Sequence, residues 1–205
     1  MLTSDDLYTE IKKALKRKLD PGDVQERAAE IVFDEGALDI TNINEAQRNS
    51  LRVLLRRAIN EGWTQEKLAD AIIRRVGLTD RDALAVDNYE QKLKSEGYTP
   101  ARIRQLSAQY GKRLLSRRGQ TIAHYEVVEA YARAQRELWE EAKEDRQMAW
   151  NATRRWVTHK DERTCIVCAP MHGKRARVGE PYPNGLIGPP AHPNCRCHEV
   201  LNSEA

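Results

Sequence analysis

The chain has 205 residues, of which 40% are hydrophobic and 32% charged, and its net charge is only +3 at neutral pH. No apolar run approaches the roughly 20 residues of a membrane-spanning helix, and the first residues (1–6) lack the basic and apolar regions of a secretory signal. We therefore expect neither a transmembrane protein nor one secreted through a signal peptide, and the length allows one large domain or two small ones.

Residues 1–150 are predicted to form successive helices, each opened by a capping residue. The expected helices run from Ser4 to about Leu19, from Asp23 (with Glu26 in capping-box spacing) to Gly36, from Asn44 to Gly62, from Thr64 to just before Gly77, and from Thr79 to about Ser95. Thr99 caps a further helix start. Beyond Gly119, apolar residues at helical spacing predict a long amphipathic helix to about Asp145.

Charge is segregated along this helical part. Between Gly97 and Tyr125 there is no carboxylate, and the segment carries six cations, Arg102, Arg104, Lys112, Arg113, Arg117 and Arg118. Such a block is either a solvated helix face or a docking surface for an acidic partner or nucleic acid. If this chain docks onto a partner, we expect this segment to make the contact.

The last quarter of the chain has a different character. Six of the eight prolines lie between Pro170 and Pro193, and short β-branched or aromatic runs predict three strands, over residues 153–159, 174–178 and 196–201. The expected fold is mainly α (α+β overall): a helical lead-in (1–109), a long helix (110–150) and a small β-rich module (151–205). That module has four candidate core side chains, too few to stabilise it unaided: Trp156, Val157, Val178 and Leu201.

A metal ion is predicted to supply the missing stability. All four cysteines lie in the module, as a Cys165-x-x-Cys168 pair and, across the Pro/Gly-rich loop, as Cys195 and Cys197 beside His192. Two such turns bring four donors to one tetrahedral Zn²⁺. Because His192-x-x-Cys195 repeats the spacing of the first pair, we predict Cys165, Cys168, His192 and Cys195 as ligands, with Cys197 as the alternative fourth. Asp161 is expected to accept backbone N–H bonds in the turn before Cys165.

A long string of residues carries a family resemblance. It comprises Trp156, Asp161-Glu162-Arg163-Thr164-Cys165-x-x-Cys168, His172-Gly173-Lys174 and the Gly188-Pro189-Pro190-Ala191-His192-Pro193-Asn194-Cys195-Arg196-Cys197 segment. This string resembles the C-terminal signature of the MuF-like minor head proteins of tailed bacteriophages, also called phage head morphogenesis proteins. The preceding helix, Thr121 to Val127, is similar to the family's helix, except for His124-Tyr125 where Arg-Thr is usual; Glu126 is retained. The resemblance covers roughly residues 110–202.

The resemblance implies a minor structural protein of the virion, without established enzymatic activity. It would be made in the host cytoplasm and act at the capsid interior or portal vertex, in head morphogenesis and DNA packaging or delivery. The implied partners are the portal protein, the major capsid or scaffold protein, and genomic DNA; no membrane is involved.

Two other classes of protein share parts of this pattern. A zinc-containing nuclease of the HNH type would draw on His159, Asp161, His192 and Asn194, but it needs a second, catalytic ion, and His192 is expected to be used by zinc. A zinc-based nucleic-acid-binding module is favoured by the cations around the cysteines, Arg163, Lys174, Arg175, Arg177 and Arg196. Those cations would equally neutralise a zinc–thiolate centre.

Overall fold

The computed structural model describes residues 20–202. They form five α-helices, α1 Pro21–Glu35, α2 Glu45–Asn60, α3 Gln65–Ile73, α4 Asp80–Ser95 and α5 Pro100–Glu144, followed by strands β1 Thr153–Val157, β2 Arg175–Arg177 and β3 His198–Asn202. The expected fold class, mainly α with a small β-rich C-terminal module, is confirmed. The helix predicted from Ser4 to Leu19 lies outside the described residues.

Side-chain caps set where the helices begin. Asn44 and Gln47 form a reciprocal capping box at α2, and threonines 64, 79 and 99 cap α3, α4 and α5. The prediction that Asp23 opens α1 is wrong. Asp20 caps this helix by accepting a hydrogen bond from the Gly22 amide at 2.7 Å, and Pro21 occupies the first helical position, which proline favours.

Helix α5 is one continuous helix of 45 residues, about 67 Å long at 1.5 Å per residue. Gly119 lies inside it, at the crossing with α3. A Cβ atom at Gly119 would lie 2.4 Å from Ile73 Cγ2 and 3.1 Å from the Ala69 carbonyl oxygen, so glycine permits this close approach. The boundary expected at residue 110 falls within α5. No helix in the described part of the chain has both the length and the apolar character of a membrane span.

The helical core forms where α1, α2 and α3 pack against the middle of α5. Leu51, Leu55 and Ile72 are fully buried there, with Ala123, Ala130 and Ala134 of α5. Small residues on α5 let the shorter helices approach it closely. Glu126 is one of the polar residues enclosed there, and its carboxylate accepts a hydrogen bond from the Ala37 amide at 2.8 Å.

The strands form an antiparallel sheet in the order β2-β1-β3. Its own core is built on Trp156, Met171 and Tyr182 together with three of the cysteines. A separate cluster joins the sheet to α5, where Trp139 packs against Ala152 and Val178. Of the four predicted core residues, Trp156 and Val178 are buried and Val157 and Leu201 are half-buried.

Candidate metal centre

The first donor pair lies on a tight turn between β1 and β2. The amides of Cys168 and Ala169 both bond to the Cys165 carbonyl, at 3.1 and 2.9 Å. The Cys168 amide also lies 3.3 Å from Cys165 Sγ, in the position to donate to that sulfur. This turn directs both sulfurs to one side, while Ile166 and Val167 between them point outward, 92% and 50% exposed.

Asp161 organises the approach to this turn, as the sequence predicts. Its carboxylate accepts hydrogen bonds from the Arg163 amide at 3.2 Å and the Thr164 hydroxyl at 3.1 Å. It also forms a two-pronged ion pair with Arg196. The hydrogen bonds of this pair are the main reason that the pKa of Asp161 lies well below its usual range. This pair joins the two donor-bearing turns, a role that the sequence did not reveal.

His192 and Cys195 lie on the second turn, which the Cys195 amide closes by donating to the His192 carbonyl at 3.0 Å. His192 Nδ1 lies 2.9 Å from the Pro193 carbonyl oxygen. Since a carbonyl only accepts, Nδ1 carries a proton, and in the neutral ring the lone pair is then on Nε2. That lone pair is directed at the first turn, which is the arrangement of a metal-binding histidine.

The donor atoms of the two turns converge. His192 Nε2 lies 3.0 Å from Cys165 Sγ and 3.7 Å from Cys168 Sγ, and the sulfurs of Cys168 and Cys195 are 3.8 Å apart. Two overlapping groups have all donor atoms within 4.8 Å of one another: Cys165, Cys168 and His192, and Cys168, Cys195 and Cys197. These side chains could hold a metal ion.

Cys197 belongs to the cluster and is buried in the module core with Cys168 and Cys195. It is 7% exposed, and hydrogen bonding between its thiol and Cys195 lowers the pKa of Cys195 to about 5. Burial raises the pKa of Cys168 to about 12. Closely packed thiols thus compete for protons, and a bound cation would stabilise their deprotonated forms together.

Three of the residues considered for a nuclease lie at the cleft over the cysteines. His159, His192 and Asn194 all line this cleft. His172 is outside that set, and its Nδ1 accepts a hydrogen bond from the Thr158 amide at 3.1 Å. Across residues 20–202, the two Cys/His groups are the only clusters of at least three donors suited to a metal ion. A second, catalytic ion therefore has no donor cluster in this part of the chain.

A buried ionic network beside the cluster was not predicted. Glu199 of β3 accepts hydrogen bonds from Arg154 of β1 at 2.7 Å and Arg136 of α5 at 3.2 Å. All three side chains are at least 93% buried. Arg136 also donates to the Pro189 carbonyl at 2.9 Å and Arg154 to the Ile187 carbonyl at 2.7 Å. The network fixes the proline-rich loop between the strands and α5.

The six cations singled out as partner contacts do not share one environment. Arg102, Arg104, Lys112, Arg113 and Arg117 are exposed on the first half of α5. Arg118 is buried, and its guanidinium donates to the carbonyls of Gly77 and Thr41. Arg118 therefore joins the α5 helix to the loops before α2 and α4 and is not available at the surface.

The structure places this protein in the class of helical bundles that carry a small β module with a Cys/His cluster. The chain matches the family model described as Phage Mu protein F like protein over residues 49–200, and it belongs to this family. No curated protein and no solved structure matches the chain. Membership confirms the resemblance and indicates a phage head morphogenesis protein; it does not favour the nuclease or the nucleic-acid-binding zinc module.

Proposed function

We propose that this protein is a non-enzymatic minor component of a tailed-phage head. It acts at the portal vertex or capsid interior, in head morphogenesis and in DNA packaging or delivery, with the portal, major capsid or scaffold protein as direct partner. The family match carries the proposal, because residues 49–200 include both the long helix α5 and the complete Cys/His cluster.

The cluster fits a zinc ion. With Zn–S distances of about 2.3 Å and Zn–N of about 2.0 Å, tetrahedral geometry separates two sulfurs by about 3.8 Å and a sulfur from a nitrogen by about 3.5 Å. The Cys168–Cys195 separation of 3.8 Å and the Cys168–His192 separation of 3.7 Å agree with this geometry. The Cys165–His192 separation of 3.0 Å would lengthen by about 0.5 Å around the ion. Thiolates with one imidazole are also the donors that zinc prefers.

We propose Cys165, Cys168, His192 and Cys195 as the ligands. The first three already form one converging group, and Cys195 meets Cys168 at the required separation. Cys197 is the alternative fourth ligand; otherwise it packs in the module core beside Trp156.

The role of the zinc is structural. Structural sites are closed by four protein donors, whereas catalytic sites leave one position to water. This cluster offers five donors for four positions, and three of the cysteines are among the few buried residues of the module core. The same cysteines would thus bind the metal and form the core, and the free energy of metal binding would stabilise a module this small.

The phage or prophage that encodes the chain provides the test. Mass spectrometry should find the chain in purified procapsids or mature heads, and deletion of its gene should lower the yield of infectious, DNA-filled particles. Wild-type chain and the exposed-site control Ile166→Ser should restore the yield, whereas Cys168→Ser should not. Absence of the chain from both kinds of particle would contradict the proposal.

A further inference from the structure

The outward side of the small sheet carries positive charge that lies unusually close together. Arg155 of β1 is directly opposite Arg175 of β2, and Arg177 lies two positions further along the same face. All three side chains are exposed, whereas Arg154 and Ala176, which alternate with them, are buried on the inner side. Like charges directly opposite each other on two strands destabilise a sheet. This arrangement therefore points to an anionic group supplied by a partner.

The described part of the chain, residues 20–202, does little to neutralise this charge. Arg155 and Arg175 form no ion pair within it, and the Asn202 amide, whose oxygen can accept a hydrogen bond from Arg175 at 3.2 Å, is neutral. Arg177 pairs with Glu180 at 3.9 Å, where both side chains are more than half exposed, and such a surface pair contributes little. The three arginines thus remain able to bind carboxylates of another molecule.

An exposed aromatic side chain lies beside these arginines. Trp150, between α5 and β1, is 71% exposed, although the Arg177 guanidinium lies over its ring at 5.5 Å from the centroid. Tryptophan and arginine are enriched among the residues that dominate the binding energy of protein–protein interfaces. We refer to Trp150, Arg155, Arg175 and Arg177 as the β2 surface.

Strand β2 also has a free edge, because it is the outer strand in the order β2-β1-β3. The Trp156 amide donates to the Lys174 carbonyl at 2.9 Å, so Lys174 and Ala176 direct their backbone groups towards β1. The amide and carbonyl of Arg175 and the amide of Arg177 then face away from β1. None of these three groups has a hydrogen-bond partner among residues 20–202. They can pair with one further strand.

We propose that the β2 surface binds an extended acidic segment of another protein, which joins the sheet as a strand beside β2. The backbone of the added strand pairs with the free groups of β2, and every second side chain then lies on the face of Arg175 and Arg177. Carboxylates there form two-pronged hydrogen bonds with arginine, and an apolar side chain packs on Trp150. A nucleic acid has no peptide backbone to pair with the free edge, so the edge favours a polypeptide.

The surface is defined without reference to the proposed function, but the source of the segment, another protein of the phage head, rests on it. A fluorescein-labelled ten-residue peptide of alternating glutamate and valine is titrated with the purified full-length chain, and its fluorescence anisotropy is measured. The Arg155→Gln/Arg175→Gln variant should bind about tenfold more weakly, through the loss of charge-assisted hydrogen bonds, and Trp150→Ala about threefold more weakly. Methylation of alternate peptide amides, which blocks strand pairing, should weaken binding to the wild type by about tenfold.

The matched control, Arg74→Gln/Arg81→Gln, removes two exposed helix cations and should bind within about twofold of the wild type. Arg155→Gln/Arg175→Gln should melt no lower than the wild type, because it removes a repulsion; a lower melting temperature would contradict that repulsion.

The proposal is overturned if the wild type does not bind the peptide at low salt, if the control loses as much affinity as the β2-surface variant, or if the methylated peptide binds equally well. Binding of a DNA oligonucleotide that Arg155→Gln/Arg175→Gln abolishes, without binding of the peptide, would assign the surface to nucleic acid instead. Particle incorporation of the wild-type chain tests the proposed function separately from these results.

Discussion

Arg136 of α5 donates a hydrogen bond to Glu199 of β3 at 3.2 Å, across 63 positions of sequence. Gly188 lies against the pair: a Cβ there would come within 2.7 Å of Glu199 Oε2 and 2.8 Å of Arg136 Nη1. Burial raises the pKa of Glu199, and the two arginines oppose that shift. The long helix and the Cys/His module are thus joined by a buried ion pair, and loss of either partner would leave the other charge in the interior with one partner fewer.

Removal of Arg136 should be costly. Arg136→Leu removes the hydrogen bonds of Arg136 to Glu199 and to the Pro189 carbonyl. Glu199 keeps Arg154 as its partner, so the loss should be about 1.5–3 kcal/mol, the value for a buried hydrogen bond to a charged group. Arg133→Leu, on the same helix, removes a half-exposed pair with Glu35 and should cost less than about 1 kcal/mol. Urea unfolding of the two variants measures the difference, and equal losses would contradict the structural role of the network.

The two glycines inside α5 should respond in opposite directions to alanine. Gly119→Ala places a Cβ 2.4 Å from Ile73 Cγ2 and should destabilise the protein by about 1–3 kcal/mol through overpacking. At Gly111 the nearest atom to a new Cβ is 3.6 Å away, an ordinary contact, so Gly111→Ala should stabilise the helix by about 0.5–1 kcal/mol. Thermal unfolding monitored by circular dichroism decides the signs; the same sign for both would refute the assigned helix crossing.

Glu126 should make stability depend on pH. Burial raises its pKa, reinforced by Asp39 and Glu129 and opposed by the Ala37 amide and Arg48. The folded state therefore binds this proton more tightly than the unfolded chain does, so the contribution to stability is full below the ordinary glutamate pKa and is lost as pH rises through the raised value. Glu126→Gln, whose amide oxygen still accepts from Ala37, should match the wild type at low pH and become the more stable protein towards neutral pH.

Unfolding curves of wild type and Glu126→Gln between pH 4 and 8 measure this effect. The control is Glu35→Gln, because Arg133 lowers the pKa of Glu35 by hydrogen bonding and charge. The contribution of Glu35 is therefore present above its ordinary pKa and is lost as pH falls through the lowered value, so this variant should be the less stable protein at neutral pH. A pH-independent difference for Glu126→Gln would show that its carboxyl is not protonated by burial.

Local sequence signals predicted the elements but not how they join. Asn44, Thr64, Thr79 and Thr99 each cap a helix because capping depends on the few residues that follow. Gly119 could be interpreted as a helix break. In the structure it lies inside α5 and makes a contact between helices, with Ile73 of α3, which is 46 residues earlier and which no local pattern specifies.

The candidate site, like the fold, could be predicted from the sequence only in part. The Cys-x-x-Cys spacing placed Cys165 and Cys168 on one turn, and in the structure these two sulfurs form a converging group with His192, while Cys195 groups with Cys168 and Cys197. The choice of four ligands stays a prediction. Arg118 could not be distinguished from the exposed cations beside it, and the Arg136–Glu199–Arg154 network has no spacing signal, since its members come from three separate elements.

Chelation of the metal should affect the two parts of the chain differently. Residues 151–202 should lose their protection against hydrogen exchange, because the cysteines are part of that core, while α1 to α3 and the part of α5 packed on them keep a core of their own. Hydrogen exchange with and without a strong chelator measures this, and readdition of zinc should restore protection. Equal loss of protection in the core of α1 to α3 would show a single cooperative unit.

The metal content of the purified full-length chain tests the central claim most directly. Elemental analysis should find one zinc per wild-type chain and one in Cys197→Ala, whose thiol lies outside the proposed ligand set, whereas His192→Ala should lose most of its zinc. One zinc retained in His192→Ala and lost in Cys197→Ala would assign the site to the four cysteines instead. A wild-type chain, folded in the presence of zinc, that contains no metal would contradict the account of the module altogether.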